Sequence, residues 1–510
     1  MKKRKKFKYI PLRYLFAMLI TIFEIVSIIG IVIALCYYVP YFYALAMATQ
    51  FACTVKIIAS DDNPDYKVPW LVVVLILPVV GFMLYFIFSS RKLKEKYVKR
   101  LKDIVKNTYD KSSEEEFNAL KDSSITAYNQ FKMLSKISGA SLYTKSNIEY
   151  FSDIKLLQNK LVDDLKSANN FIFLEYFIIE EGVFWNSILN VLIEKVKCGV
   201  DVRVVFDDIG CMRTLPASYS KTLNGYGIKA IPFSRLKGSA DSEFNNRNHR
   251  KIAVIDGKIA YTGGFNLADE YINLVERFGY WKDCGVRIYG EAVWEFTKLF
   301  LVDFGINTKS LMAVPENCFP KVNVKESDGF IMPFVDGPKP LYPRRVSKSV
   351  IQNLLSCAKR YVYITTPYLI IDNDLLTDIE NASLRGVDVK IIVPSIPDKK
   401  LIFTMTKSYY SRLLSAGVKI YEYTPGFMHA KTYLVDDDYA MIGTVNLDYR
   451  SLVHHFENGV LSYKSNFIKD VKSDVLSIID SSKEIKKEEL KNTLIQRFIS
   501  SLVKIFAPLM

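Results

Sequence analysis

The feature that most constrains this chain is a pair of segments that repeat in register. "HRKIAVIDGKIAYTGGFNLADEY" begins at His249 and "HAKTYLVDDDYAMIGTVNLD" at His429, and the two align without a gap at an offset of 180 residues. His249 falls on His429, Lys251 on Lys431, Asp256 on Asp436, Gly263 on Gly443, Asn266 on Asn446 and Leu267 on Leu447. A single His-x-Lys-x4-Asp spacing carries little weight. Two copies, each followed by Gly and Asn at the same distance, call for a fold made of two equivalent halves. Duplication kept for packing alone does not account for polar His, Lys and Asn recurring inside apolar runs, where burial is costly without partners.

The repeat extends upstream. "ANNFIFLEYFII" matches "AKRYVYITTPYLI", and "KCGVDVRVVFDD" matches "LRGVDVKIIVPS". Each half reads as strand, helix, strand, then a strand carrying the motif, which predicts an α/β sheet covered by helices. Pro315, Pro320, Pro333, Pro338 and Pro340 mark a seam between the halves at residues 310–340. Period-2 alternation puts His429, Lys431, Tyr433 and Val435 on one strand face, with Ala430, Thr432, Leu434 and Asp436 on the other. His and Lys can then reach one anion together. Asp256 and Asp436 point away from their His and read as fixing the local loop. The glycines after the strand allow close backbone approach, and Asn266 and Asn446 can return toward the same site.

A chain of 510 residues suits a short array of domains, and half of its residues are hydrophobic. The net charge of +14 admits nucleic acid or anionic lipid as partner, and the position of the charge decides between them. Much of it flanks apolar runs near the N-terminus. "WLVVVLILPVVGFMLYFIF", Trp70–Phe88, has no charge and is long enough to span a hydrocarbon layer of about 30 Å. An earlier apolar stretch supports a span over Leu15–Cys36, and leaves open whether residues 39–60 cross, re-enter or lie at the interface. Lys and Arg precede the first span and follow the last, while Asp61, Asp62 and Asp65 lie between. The positive-inside rule then puts both ends in the cytoplasm, with two spans and the Asp-bearing loop outside. The basic flanks read as topology signals and lipid headgroup contacts rather than a nucleic-acid site. Seven scattered Cys have no zinc-type spacing, and no metal or other cofactor is expected.

The doubled motif, with its Gly-rich turn and Asn, resembles the phospholipase D superfamily over residues 141–481. "NPDYKVPWLVVVLILPVVGFMLYFIF", "YFIIEEG", "YWKDCGVRIYGEAVWEF", "GTVNLDYRS" and the apolar tail narrow the resemblance to bacterial cardiolipin synthases. It implies an α/β fold of two pseudo-symmetric phospholipase D-type halves, mixed sheets flanked by helices, behind an N-terminal transmembrane hairpin. The expected divisions are an anchor at 1–105, a partly helical linker at 106–140, halves at 141–320 and 321–482, and an amphipathic helix at 483–510. The implied reaction converts two phosphatidylglycerol molecules into cardiolipin and glycerol. The expected partners are anionic phospholipids and the bacterial plasma membrane, with the catalytic domain on the cytoplasmic side, no nucleic acid, and self-association left open.

In that reading the catalytic set is His249, Lys251, Asp256, His429, Lys431 and Asp436. The lysines, with amides from Asn266 and Asn446, neutralise the phosphoryl oxygens. One imidazole attacks phosphorus and the other acts as acid and base. The resemblance favours His249 as nucleophile, whereas the symmetry of the repeat leaves the roles open. Asp283 in "YWKD" and Glu457 in "HHFE" are expected to orient the two imidazoles. One departure is "VHHFENG", with His455 where the family more often has Asn, which bears on acceptor choice. His454 and His455 otherwise read as structural or pocket-lining. In the tail, Ile495, Phe498, Ile499, Leu502, Val503 and Phe506 form one helical face, suited to the interface or to packing on the catalytic domain. A lipid hydrolase, a membrane-tethered nuclease and a catalytically dead scaffold are the competing readings, and intact His and Lys in both halves argue against the last.

Overall fold

The computed structural model describes residues 2–3, 12–77, 79–89, 114–235, 245–308, 328–339, 341–342, 344–490 and 503–509, with isolated positions 318, 322 and 324. The basic run at 91–102, most of the proline-rich seam and residues 491–502 of the tail lie outside them.

Two mixed sheets carry the catalytic halves. The first uses β1 (Ser146–Phe151), β2 (Phe171–Tyr176), β3 (Asp201–Asp207), β4 (Lys229–Phe233), β5 (Lys251–Ile255) and β6 (Ile259–Gly263). The short β7 (Tyr280–Lys282) then leads to β8 (Gly285–Gly290), and the sheet order is β1-β8-β6-β5-β2-β3-β4. The second uses β9 (Phe330–Asp336), β10 (Tyr361–Thr365), β11 (Asp388–Pro394) and β12 (Lys419–Tyr423). Short β13 (Gly426–Met428) precedes β14 (Thr432–Val435), β15 (Tyr439–Gly443), β16 (Glu457–Tyr463) and β17 (Ser482–Ile485). Its order is β9-β16-β15-β14-β10-β11-β12-β17, the same sequence of equivalents with one strand added at the edge. β2-β3-β4 and β10-β11-β12 are parallel, and the motif strands pair antiparallel beside them. β2 and β10 are buried on both faces, which is why they read as near-continuous apolar runs.

The halves share a core. Phe173, Val254, Val286 and Phe300 of the first pack with Leu434, Ile442, Phe456 and Val460 of the second. β7 pairs in parallel with β13, and Asn458 Nδ2 donates to Thr262 Oγ1 across the seam (2.7 Å). Residues 106–140, expected as a linker, contain helices Glu114–Ser123 and Ile125–Ser138. Their Phe117, Leu120, Phe131 and Leu134 are buried in the core of the second half.

The N-terminal region has the expected pair of long apolar helices, but the second is not Trp70–Phe88. Among the described residues, helices α1 (Leu12–Tyr38) and α2 (Pro40–Ala59) contain the two stretches long and apolar enough to cross a bilayer, Met18–Leu35 and Tyr41–Ala59. Trp70–Phe88 is instead divided between α3 (Pro64–Ile76) and α4 (Val80–Phe88), with Val79 at φ +62° between them. α4 folds back on α3 so closely that a Cβ on Gly81 would lie 2.4 Å from the Val73 carbonyl oxygen. The carbonyls freed at the end of α3 do not go unpaired. Gln50, buried in mid-α2, donates Nε2 to Val74 O and Leu75 O, both at 3.0 Å.

The acidic turn also lies elsewhere than expected. Asn63 Nδ2 donates to Asp374 Oδ2 (2.8 Å), the Asn373 amide to Asp65 Oδ2 (2.6 Å), and Arg345 Nη1 to the Tyr66 hydroxyl (2.8 Å). Tyr66 is buried in the core of the second half. The turn between α2 and α3 therefore packs against the second catalytic half. The positive-inside rule counts Lys and Arg, and Asp contributes little to it, so three Asp were no sign of an outside loop.

Candidate active site

Each motif histidine stands just before its strand, not within the ladder. β5 begins at Lys251 and β14 at Thr432, so His249 and His429 occupy the extended segments that enter them. Those segments are held by the opposite half. The His249 amide donates to Phe456 O (2.9 Å), and the His429 amide donates to Lys282 O (2.8 Å). Phe456 and Lys282 directly precede Glu457 and Asp283. His249 Nδ1 consequently meets both Glu457 oxygens at 3.0 Å, and His429 Nδ1 meets Asp283 Oδ2 at 2.6 Å. The pairs are crossed, with each imidazole oriented by a carboxylate from the other half. This fixes the tautomer with the proton on Nδ1 and the lone pair on Nε2.

The carboxylates are held differently. Asp283 Oδ1 accepts from the Cys284 amide (2.9 Å). It lies against Gly264, where a Cβ would stand 2.1 Å from that same oxygen, so any side chain there would displace it. Glu457 is longer, and the residue equivalent to Gly264 is Thr444, whose hydroxyl donates to Glu457 Oε2. Ser451 Oγ donates to Glu457 Oε1 (2.7 Å). The equivalent position two residues before each carboxylate also differs. Trp281 packs 5.1 Å from the His429 ring, and His455 packs 5.5 Å from the His249 ring.

Lys251 and Lys431 are fully buried. Lys251 Nζ donates to His249 O (2.7 Å), and Lys431 Nζ lies 3.0 Å from His429 Nε2. Burial pushes Lys251 down to about 7; Glu457 opposes this and the neighbouring charge of Lys431 adds to it. Burial likewise pushes Lys431 down to about 8, against the pull of Asp283. Burial lowers His249 to about 3 although Glu457 works to raise it, and lowers His429 to about 4 with Lys431 adding to the effect. Burial alone would raise Glu457 and Asp283, but their imidazole partners outweigh it and hold both below the usual carboxylate range. Burial presses the lysines and histidines toward neutrality despite the two carboxylates beside them, so the site is stabilised by a further anion. A bound phosphodiester supplies one and favours the charged forms.

The other expected residues fall into two groups. Asn446 is buried with no hydrogen-bond partner at Oδ1. Asn266 is committed to the scaffold, since its Oδ1 accepts from the Ile178 amide (2.9 Å) and its Nδ2 donates to the Tyr271 hydroxyl (2.7 Å). Asp256 and Asp436 do not belong with the catalytic groups. Both have positive φ, and each carboxylate accepts three backbone amides, from residues 169–171 and 359–361 respectively, at 2.7–2.9 Å. They tie the motif's distal turn to the loop that enters β2 or β10. Among the described residues, His249, His455 and Glu457 form the one His/carboxylate grouping with ligand atoms close enough to hold a cation.

Sequence reasoning missed the clamp around the first motif. Arg247 pairs with Asp207 (2.8 Å), the Asn248 amide reaches Asp207 Oδ2 (3.0 Å), and Asn248 Nδ2 reaches Glu175 (2.6 Å). Arg250, 1% exposed, pairs with Asp303 and donates to Glu457 O (3.2 Å) and Asp336 O (3.2 Å), pinning the two halves together. "RNHR" carries two arginines beside the motif, and that was the available signal.

Comparison with known proteins agrees with this geometry. A family model described as cardiolipin synthase, PLD-like domain, matches residues 161–295 and 351–479, and one described as phospholipase D-nuclease N-terminal matches 50–89. A protein named cardiolipin synthase from Halalkalibacterium halodurans is 31% identical, covering 92% of this chain and 94% of its own. Another of that name from Alkalihalophilus pseudofirmus is 32% identical over 88% of this chain and 90% of its own. The chain belongs to the cardiolipin synthase family of phospholipase D-like phosphatidyltransferases. An uncharacterized Streptococcus mutans protein is 41% identical over 87% of this chain and 96% of its own. Among solved structures, a phosphatidylserine synthase from Haemophilus influenzae superposes with a TM-score of 0.55 at 18% identity, covering 75% of this chain and 98% of that one. That likeness shows the fold. The structure puts His455 against the His249 ring.

Proposed function

We propose that this chain makes cardiolipin from two phosphatidylglycerol molecules by way of a phosphatidyl-histidine. The observation that carries the proposal is the crossed pair of imidazole–carboxylate contacts over two buried lysines. His249 Nε2 attacks phosphorus, the bond to the headgroup glycerol breaks, and protonated His429 gives its proton to the departing oxygen. Neutral His429 then takes the proton from the hydroxyl of a second phosphatidylglycerol. That oxygen attacks phosphorus and the P–N bond breaks. Lys251 and Lys431 hold the non-bridging oxygens as charge moves through the transition state. Imidazoles that burial holds toward neutrality suit nucleophile and base, and the substrate's own negative charge promotes the proton that the acid step needs.

The reading places the chain in the bacterial plasma membrane, with α1 and α2 crossing and α3–α4 entering and returning as a half-span. The N-terminus, the 60–66 turn and both catalytic halves then share the cytoplasmic face. Three features support it: the contacts of Asn63, Asp65 and Tyr66 with the second half, the pairing of Lys2–Lys3 with Val275–Glu276, and the Gln50 bonds at the helix break. Single cysteines at Asp62 and Tyr38, in a background lacking other accessible cysteines, should label from opposite faces, Asp62→Cys from the cytoplasm and Tyr38→Cys from outside. Labelling of Asp62→Cys from outside would refute this topology. For the reaction, the purified full chain given phosphatidylglycerol alone should release glycerol and accumulate cardiolipin. Release of phosphatidic acid in place of cardiolipin would make water the acceptor and overturn the transferase reading.

A further inference from the structure

One pocket residue has no task in the transfer chemistry. His455 is 8% exposed, and both its ring nitrogens are without a hydrogen-bond partner. Burying an imidazole in that state is unfavourable unless something else satisfies it. Its ring is 5.5 Å from that of His249, and its Nδ1 is 3.7 Å from Glu457 Oε1. One ligand atom from each of His249, His455 and Glu457 can be chosen so that all lie within 4.8 Å of one another. Two imidazoles and a carboxylate form the donor set of three-ligand zinc sites that keep a fourth position open. The other half offers nothing comparable, because Trp281 occupies the position equivalent to His455 and an indole cannot ligate a cation.

We propose that His249, His455 and Glu457 form an inhibitory site for a borderline-soft divalent cation such as Zn2+. The inference rests on the reading of His249 as nucleophile. A cation there takes either the His249 lone pair that attacks phosphorus or the Glu457 contact that orients the ring, and in both cases transfer stops. No bond to phosphorus is made or broken, and coordination is reversible by a chelator. Ligand softness sets the order of cations: imidazole favours Zn2+ and Co2+, while Mg2+ and Ca2+ prefer all-oxygen shells and should be ignored. Lys251, whose ammonium lies on His249 O, opposes a dication and keeps the site responsive to metal level rather than permanently filled.

The test uses the full-length protein in phosphatidylglycerol micelles with the metal alone as probe. Co2+ should bind at one per chain with a tetrahedral visible absorption band, Zn2+ should displace it, and Zn2+ should block glycerol release until chelator is added. His455→Asn and His455→Gln should each weaken Co2+ and Zn2+ binding by about tenfold or more. The zinc concentration for half-inhibition should rise in step, measured against each variant's own chelator-treated activity. Melting in chelator verifies that both variants fold, and the less disturbed one decides. Unchanged binding in the folded variant, or no cobalt band in the native chain, would overturn the proposal. Should the chain prove a hydrolase, phosphatidic acid replaces cardiolipin as product and the cobalt titration still gives its own answer. Should His429 prove to be the nucleophile, the cobalt titration is unchanged and the covalent adduct on His429 reveals the exchange of roles.

Discussion

The two halves share strand order, motif and pattern of parallel and antiparallel pairing, yet they hold their histidines by different means. Around His429 the carboxylate is a short Asp283 seated against a glycine, and the ring is walled by Trp281, Tyr271 and Phe427. Around His249 it is a longer Glu457 braced by the Thr444 and Ser451 hydroxyls, with Phe177 and His455 beside the ring. An aromatic wall, with a carboxylate that accepts one backbone amide and, among the described residues, no hydroxyl, suits an imidazole that must pass its proton back and forth. A carboxylate pinned by two hydroxyls suits one that must keep its ring still during covalent attack. Symmetry of the fold therefore supplies two imidazoles, and in the proposed mechanism the asymmetry of their neighbours would give them separate work.

The largest effect expected from breaking this comparison is loss of either imidazole. His429→Asn and His249→Asn should each lower cardiolipin formation by about 10⁴-fold without loss of the folded state, measured as product per hour and by melting. Comparable turnover in either variant would remove that residue from the chemistry. Gly264→Ala and Thr444→Val sharpen the contrast next. The added methyl of Gly264→Ala must displace Asp283, and turnover should fall about 10²-fold, whereas Thr444→Val removes one of three donors to Glu457 and should cost about tenfold. Equal effects would mean the halves are braced alike.

Acid pH separates folded from unfolded chain more gently. His249 and His429 are held at about 3 and about 4, below their ordinary 6.5. As pH falls through 6.5 the unfolded chain takes up protons that the folded chain refuses, so stability present above pH 6.5 is lost toward pH 4. The depressed Asp283 and Glu457 act in the same direction at the lower end of that window. The melting temperature of the substrate-free protein should drop across that range, and His429→Asn should flatten the drop. The smallest effect belongs to the membrane region. Gln50→Leu strands two carbonyls and should destabilise the α3–α4 turn by about 1 kcal/mol, read as faster proteolysis near residue 78 with catalysis nearly intact.

Much of this was legible in the residues. The offset of 180 announced the duplication, and strand-helix alternation announced the sheets. Asp283 and Glu457 stood out as carboxylates following the motifs. Their crossing was not legible, because spacing along a chain is blind to which half folds over which. Nor was the brace at Thr444, since a Gly-Gly in one copy and Gly-Thr in the other looks like drift until a Cβ is placed beside Asp283. In the anchor, an uncharged run of nineteen residues looked like one span. Pro78 inside it and Gln50 in the neighbouring helix were the signs of a break, and hydropathy averages over both.

The central claim is that Glu457 serves His249 and Asp283 serves His429. The most direct test is mass spectrometry of Asp283→Asn and Glu457→Gln, each quenched during turnover with phosphatidylglycerol. Asp283→Asn weakens the acid-base histidine, so phosphatidyl-His249 should accumulate. Glu457→Gln weakens the nucleophile, so no adduct should build up. A phosphatidyl group on His429, or accumulation in Glu457→Gln in place of Asp283→Asn, would contradict the account.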